Sequence, residues 1–290
     1  MRDDFCAFIL THGRPDNVKT WDTLHKSGFT YPVYIVIDDE DAKADQYRER
    51  FGDRVIQFCK AAVAKTFDEM DNFDDRRAIV YARNVCYSLA VELGYRFYVE
   101  LDDDYTGFEY RTDSALNAKY RAVTSTLDGV FEALVAYLES SDRIATIALS
   151  QGGDHIGGAP NVQPLGMRRK CMNSFVADTR RPLQFVGRIN EDVNTYTTHG
   201  RRGELFFTVM QAKLVQVQTQ ASGGGMTDLY LDSGTYVKSF YSVIGCPSGV
   251  TVGVMGDPRG GSFRLHHDIN WNRVAPKVLR QTHRRRHVEA

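Results

Sequence analysis

The sequence lacks any run of about 18 consecutive apolar residues, the length that a membrane-spanning helix needs. Its first residues also lack a basic segment followed by a long apolar run, which is the pattern of a secretory signal peptide. Neither charge sign is in excess, because 36 Lys and Arg residues face 37 Asp and Glu residues. We therefore expect a cytoplasmic protein with no membrane partner, in which any attraction to nucleic acid depends on a local basic patch.

A disulfide framework is also missing. The five cysteines are scattered, their number is odd and no Cys-x-x-Cys pair occurs, which favours reduced thiols over disulfides or a zinc site. No internal repeat and no low-complexity segment is present. The hydrophobic content of 42% and the charged content of 25% are those of an ordinary globular enzyme.

What the sequence does contain is an alternation of strands and helices. Strands are predicted at 5–10, 31–37, 55–59 and 95–101, and helices at 18–27, 42–51 and 76–93. Further along, helices are predicted at 124–140, 193–199 and 233–243, and strands at 144–149, 171–178, 205–217, 250–256 and 262–265. This order predicts an α/β fold with three layers and a mostly parallel central sheet.

The predicted strand 95–101 ends in three consecutive carboxylates, Asp102, Asp103 and Asp104. Like charges at a strand end repel one another and cannot be buried unpaired. A divalent cation removes this cost, and ligands of open α/β sheets bind at the carboxyl ends of strands. We predict a Mg²⁺ or Mn²⁺ site with Asp104 as a direct ligand and Asp102 nearer a ribose and metal-bound water. The alternative is a solvated acidic loop.

Two other strand ends carry polar residues. The first strand runs into a polar turn formed by Thr11, His12, Gly13 and Arg14. Glycine in such a turn permits close approach of the backbone to a ligand. The second strand ends at Asp38, where an acid commonly accepts a hydrogen bond from a ribose hydroxyl or a base. An ordinary turn residue is the alternative for Asp38.

Two polar pairs accompany predicted helices. Arg83 and Asn84 lie among the apolar residues of the helix 76–93, where a guanidinium can pair with a phosphate and an amide can bind a base or sugar. A solvated helix face is the alternative. Glu191 and Asp192 precede the helix 193–199, and acids in a first helical turn also complement the helix dipole.

A late histidine pair and two basic stretches complete the candidates. His266 and His267 follow a predicted strand, and adjacent strand residues point to opposite faces, so one of the two can reach a metal. The basic stretches are Arg168, Arg169 and Lys170, and Arg284, Arg285 and Arg286. Phosphate contacts from either stretch would be independent of sequence and sensitive to salt. For the tail, a solubilising segment is the alternative.

Taken together, these motifs resemble one known family. The segments 8–18, 34–38, 82–84, 101–105, 190–192, 236–238 and 264–271 are similar to those of the phage TET-associated glycosyltransferases. The likeness extends over about residues 5–280. It implies a GT-A-like fold that takes a sugar from a nucleotide donor, such as a UDP-sugar, and transfers it to DNA containing a 5-hydroxymethylated pyrimidine. If a phage encodes the protein, its location would be the host cytoplasm.

The resemblance also implies residue roles. Asp102 and Asp104 match the metal-binding Asp-x-Asp element, while Arg83 and Asn84 match an element near the donor nucleotide. Asp103 is counted with the donor-binding residues. One of the pair His266 and His267 would complete the metal shell, and Asp192, or alternatively Glu191, would act as the base of an inverting transfer.

We expect a single GT-A-like domain over 1–280, with a nucleotide-binding half at 1–104, an acceptor half at 105–280 and a basic tail at 281–290. Two alternatives remain. A sugar-1-phosphate nucleotidyltransferase usually has a Gly-rich basic loop after its first strand, whereas the segment 11–14 has one glycine. The other alternative is a catalytically inactive GT-A-like binding protein.

Overall fold

The computed structural model describes residues 2–112, 118–155, 167–168, 173–216, 236–257 and 262–275. The first part alternates β1 (Phe5–Leu10), α1 (Lys19–Lys26), β2 (Val33–Asp38), α2 (Ala44–Phe51), β3 (Val55–Phe58), α3 (Lys60–Ala64), α4 (Val80–Glu92) and β4 (Phe97–Asp102). Then come β5 (Tyr105–Thr112), β6 (Ala118–Ala122), α5 (Leu127–Glu139), β7 (Ile144–Ser150), β8 (Met167–Arg168), β9 (Phe175–Asp178), α6 (Glu191–Gly200), β10 (Leu205–Gln216), α7 (Tyr236–Gly245), β11 (Val250–Asp257), β12 (Ser262–Ile269) and α8 (Trp271–Val274). Within these ranges no helix is long and apolar enough to cross a membrane.

The main sheet has the strand order β3-β2-β1-β4-β9-β7-β10-β5-β6, with β8 paired to β10. The four strands from β3 to β4 are parallel, as are β7 and β10. Strand β9 is antiparallel to both of its neighbours, and β5 is antiparallel to β10 and β6. The predicted α/β class is confirmed, with the parallel strands concentrated in the first hundred residues.

Both faces of the sheet are covered by helices, which gives three layers. Successive residues of β1 point to opposite faces, so Phe5, Ala7 and Ile9 pack with α1, α2 and α5, while Cys6, Phe8 and Leu10 pack with α4 and α6. All six side chains are buried. Burial on both faces explains why this strand is a continuous apolar run instead of an alternating one.

Several element boundaries differ from the predictions. The helix predicted at 76–93 begins at Val80, and before it Arg76 pairs with Glu40 and Arg77 with Asp75. The strand predicted at 262–265 continues to Ile269, since its pairing with β11 extends to that residue. His266 and His267 therefore lie within a strand.

The parallel part of the sheet brings three chain segments together. In the ladder, Leu10 stands opposite Val36 of β2 and Asp102 of β4. The segments that follow β1, β2 and β4 therefore leave the sheet at the same edge. This edge carries part of the predicted site, namely the turn 11–14, Asp38 and the acids Asp102, Asp103 and Asp104.

Candidate functional site

Helix α1 holds the acidic turn after β4 in place. The Thr20 hydroxyl donates to the Asp102 carbonyl at 2.6 Å and accepts from the Tyr105 amide at 3.0 Å. The Thr20 amide donates to the Asp103 carbonyl at 3.1 Å. Three backbone hydrogen-bonding groups of the turn are thus satisfied by one threonine, which fixes the direction of the carboxylates.

Asp103 points into the protein and is only 2% exposed. Its carboxylate accepts from the Thr11 hydroxyl at 2.6 Å and from the Arg14 guanidinium at 3.0 Å. Burial raises the pKa of Asp103, although Arg14 and Thr11 oppose the shift. Asp103 therefore ties the turn after β1 to the turn after β4, and it engages two of the predicted donor-binding residues.

Asp104 is half-buried and has no hydrogen bond or ion pair with another described residue. Burial and the neighbouring charges of Asp102 and Asp103 raise its pKa to about 6. A carboxylate that is partly desolvated, crowded by like charges and without a hydrogen bond to a described residue suits a hard divalent cation. Among the described residues, however, no group of three or more His, Cys, Asp or Glu side chains is arranged to hold a metal.

Asp102 differs from Asp104 because both of its carboxylate oxygens have protein partners. Oδ1 accepts from Arg83 Nη2 at 2.9 Å, and Oδ2 accepts from Asn173 Nδ2 at 2.6 Å. Asn173 precedes the short antiparallel strand β9, whose first residue, Phe175, stands opposite Glu100 of β4. Nothing in the sequence indicates that Asn173 reaches this edge.

Arg83 and Asn84 both contact protein groups. The Arg83 side chain is buried, and its Nε donates to Glu191 Oε1 at 2.8 Å. Asn84 donates to the Phe185 carbonyl at 3.0 Å and accepts from the Phe185 amide at 2.7 Å. Arg83 and Asn84 of α4 thereby hold the start of α6 and the segment that leads into it. A contact of these two residues with a donor stays a prediction.

The end of β2 forms a second charged cluster. His12 Nδ1 lies 2.9 Å from Asp38 Oδ2, and Lys60 Nζ lies 3.3 Å from the same oxygen. The Gly13 amide donates to Asp41 Oδ2 at 2.7 Å. Burial of Asp38 opposes its ionisation, but the hydrogen bond from His12 and the charge of Lys60 outweigh it and lower the pKa of Asp38. Sequence patterns did not indicate Lys60 or Asp41, because an isolated lysine or turn aspartate is ordinary.

The hydrogen bond to Asp38 raises the pKa of His12 above 6.5. A raised folded-state pKa contributes stability below the unfolded value, and that contribution is lost as pH rises through the folded value. Because the pKa of Asp38 is lowered, the ion pair still contributes to the free energy of unfolding at acidic pH. We expect His12→Gln to reduce the free energy of unfolding at pH 6, by less than about 1 kcal/mol because His12 is half-exposed, and to have a smaller effect at pH 8.

Urea unfolding of both proteins at several pH values measures this difference. His25→Gln is the matched control, because His25 is exposed on α1 and, among the described residues, its ring hydrogen-bonds the Trp21 carbonyl and contacts the Trp21 ring. An effect of His12→Gln that is equal at pH 6 and pH 8 would contradict the ion pair.

The start of α6 presents two acids in different surroundings. Asn190 precedes them in a left-handed conformation with φ 61°, which Asn tolerates better than most residues. Glu191 is buried against Arg83, and burial raises its pKa. Asp192 is partly exposed, and its Oδ1 accepts from the Val193 amide at 2.8 Å while Oδ2 has no hydrogen bond with a described residue. The adjacent acids are therefore not equivalent.

The two histidines of β12 lie on the α6 side of the site. Their ring centroids are 4.2 Å apart. Asn190 Nδ2 lies 3.3 Å from His267 Nδ1, and burial together with His266 lowers the pKa of His267 to about 4. His267 is therefore neutral near pH 7. In this structure the pair is not brought into a metal-binding cluster with Asp102 and Asp104.

The structure describes one of the six predicted DNA-binding residues. Arg168 lies in β8, paired with Thr208 of β10. The others lie outside the described residues: Arg169, Lys170, Arg284, Arg285 and Arg286.

Carboxylates at the C-terminal edge of a parallel sheet define a ligand-binding edge of an α/β protein. The sequence model of the TET-Associated Glycosyltransferase family matches residues 5–225. The chain belongs to this family, and its activity is therefore glycosyl transfer.

Solved structures with similar folds include a mycobacterial protein, with 13% identity, a TM-score of 0.46, and coverage of 91% of this chain and 83% of that one. Another is glucosyl-3-phosphoglycerate synthase from Mycobacterium tuberculosis in complex with Mg²⁺ and UDP, with 11% identity, a TM-score of 0.45, and coverage of 91% and 87%. S. aureus TarS has 12% identity, a TM-score of 0.41, and coverage of 74% and 37%. No curated protein matches the chain.

Proposed function

We propose that the protein transfers a sugar from a UDP-sugar to a 5-hydroxymethylated pyrimidine in phage DNA, in the host cytoplasm. The family match supports glycosyl transfer. The observation that supports a nucleotide-sugar donor is the carboxylate of Asp104. It lies in the turn after β4 and has no hydrogen bond or ion pair with another described residue. A metal-bound diphosphate is the leaving group whose charge such a site can offset.

At this edge the residue that fits a divalent cation, Mn²⁺ or Mg²⁺, is Asp104. Asp104 would hold it directly, and the cation would neutralise charge on the departing diphosphate. Asp102 would act from farther away, because both of its oxygens are already hydrogen-bonded to Arg83 and Asn173. His267 or His266 stays the predicted imidazole ligand, although the pair is not clustered with Asp102 and Asp104 in this structure. The lowered pKa of His267 keeps the neutral form that a ligand requires.

The donor would lie along the segments that follow β1 and β2. The residues proposed for it are Thr11, His12, Gly13, Arg14, Asp38, Asn84 and Asp103. Of these, the half-exposed His12 pairs with the buried Asp38 at the sheet edge, and the exposed part of the His12 ring suits a contact with the ribose or the base. Asp103 would act indirectly, since its buried carboxylate holds Thr11 and Arg14 in place.

The acceptor would lie near the start of α6, with Asp192 as the base of an inverting displacement. Its partial exposure and its unengaged Oδ2 support this choice over Glu191, which is buried against Arg83. DNA would be bound by a local basic patch, because the formal net charge of the whole protein is −1. The basic stretches 168–170 and 284–286 are proposed for this contact, which predicts salt-sensitive binding.

Mass spectrometry of nucleosides tests the proposal. Hydroxymethylated DNA is treated with the protein, Mn²⁺ and a panel of UDP-sugars, and unmodified DNA serves as the control acceptor. The expected result is a hexose or other sugar mass on the hydroxymethylated base only. Unchanged nucleosides across the panel would reject DNA as the acceptor. Release of pyrophosphate from a nucleoside triphosphate and a sugar phosphate, without UDP release, would instead identify a nucleotidyltransferase.

A further inference from the structure

The Arg83 guanidinium lies between the two acidic regions of the site. Arg83 comes from α4 and its side chain is 1% exposed. Its Nη2 donates to Asp102 at the end of β4, and its Nε donates to Glu191 at the start of α6, at 2.9 and 2.8 Å. Its Nη1 donates to the Asn173 carbonyl. One side chain therefore joins three segments that are far apart in sequence.

The geometry of these contacts is unusual for an arginine. Nε and the adjacent Nη2 commonly grip one carboxylate as a fork. Here they are divided between two carboxylates, one on each side of the site. The rigid planar guanidinium therefore fixes the separation of Asp102 and Glu191, which the flexible, single-point ammonium of a lysine cannot do.

A third carboxylate lies behind the guanidinium. Glu100 of β4 is fully buried, and its Oε2 is 3.7 Å from Arg83 Nη1. Within the described part of the chain, neither Glu100 oxygen has a hydrogen-bond partner. With carboxylates and a backbone carbonyl around it, the guanidinium is enclosed by protein and is not presented to a phosphate.

We propose that Arg83 is a positioning residue that holds Asp102 and, through Glu191, the first turn of α6 with Asp192 in a fixed relative arrangement. The functional part of this inference rests on the proposed glycosyl transfer between a metal-bound donor and an acceptor near Asp192. Productive transfer needs its groups aligned closely, and small displacements lower the rate more than they lower binding.

Double-mutant cycles on the folding equilibrium test the link without any activity assay. Arg83→Lys is combined with Asp102→Asn and, separately, with Glu191→Gln, and unfolding is followed in urea. We expect both pairs to be non-additive by roughly threefold or more in the folding equilibrium constant. Arg181→Lys combined with Glu191→Gln is the control and is expected to be additive. Additivity in either Arg83 cycle would overturn the inference.

Arg181 is a suitable control because it also uses several contacts, but at the opposite edge of the sheet. Its guanidinium donates to the carbonyls of Leu138, Ser141 and Ile144 and lies 3.5 Å from the Asp178 carboxylate. None of these contacts involves the acidic turn or α6. Arg181→Lys therefore reports the cost of losing an arginine with several contacts without disturbing the site.

Kinetics and UDP binding then separate positioning from phosphate binding. For Arg83→Lys we expect kcat to fall by about tenfold or more, with the donor KM and the Mn²⁺-UDP dissociation constant changed by less than about threefold. Arg181→Lys should keep the wild-type kcat. Weaker UDP binding at unchanged kcat would overturn the inference in favour of a phosphate contact, and unchanged kcat and KM would overturn it outright. A wild-type protein that transfers no sugar would reject the proposed function, while the folding cycles would still decide whether Arg83 links the two acids.

Discussion

Asp104→Asn is expected to lower sugar transfer by about a thousandfold or more while leaving the protein folded. The change keeps the size of the side chain and removes the carboxylate that would contact the cation. Several kcal/mol of transition-state stabilisation depend on such a contact, which corresponds to several powers of ten in rate. The fold should be unaffected, because Asp104 has no hydrogen bond or ion pair with another described residue.

The measurements are transfer rate, Mn²⁺ affinity and thermal unfolding of the same preparations. Asp53→Asn is the control, since Asp53 is an exposed aspartate in the turn before β3. We expect the control to match the wild type in all three measurements. The melting temperature of Asp104→Asn without metal should be no lower than that of the wild type, because the change relieves repulsion with Asp102 and Asp103. If Asp104→Asn transferred sugar at the wild-type rate, the prediction that Asp104 is a metal ligand would be wrong.

Much of the fold follows from local pattern. The alternation of apolar runs and amphipathic segments gives β1 to β4 and the helices α1, α2 and α4, because parallel strands covered on both faces need continuous apolar sequences. The short helix α3 (Lys60–Ala64) was not predicted. The strand predicted at 171–178 is present as β9 (Phe175–Asp178), but its antiparallel direction and its place in the sheet did not follow from the same rule. It is four residues long, and its insertion between β4 and β7 depends on pairing with strands far away in sequence.

The centre of the site was also predictable, because three acids at a strand end have a physical cost that calls for an explanation. The different contacts of the three acids could not be predicted. Asp103 turns inward to Thr11 and Arg14, Asp102 is held by Arg83, and only Asp104 lacks partners among the described residues. These differences depend on contacts between residues up to 108 positions apart, such as Arg83 with Glu191, for which the sequence has no local signal.

Asp192→Asn is expected to lower transfer by about a hundredfold to ten-thousandfold, which is the usual contribution of a general base. Binding of UDP with Mn²⁺ should be unchanged, because Asp192 belongs to the acceptor side. The competing explanation for this acid is purely structural: a carboxylate in the first turn of a helix adds about 0.3 to 1 kcal/mol of stability. Under that explanation the variant would unfold slightly earlier and still transfer sugar at the wild-type rate.

Asp45→Asn is the matched control for the structural explanation, since Asp45 is an exposed acid in the first turn of α2. Equal small losses of stability in both variants, with transfer lost only in Asp192→Asn, would identify Asp192 as the base. Glu191→Gln should retain more activity than Asp192→Asn, because the Glu191 carboxylate is buried and engaged by Arg83 and does not act as the base. The anomeric configuration of the product, read by NMR, gives an independent check. Inversion requires a base on the face opposite the departing diphosphate, so a product with retained configuration would remove the reason for placing one at Asp192.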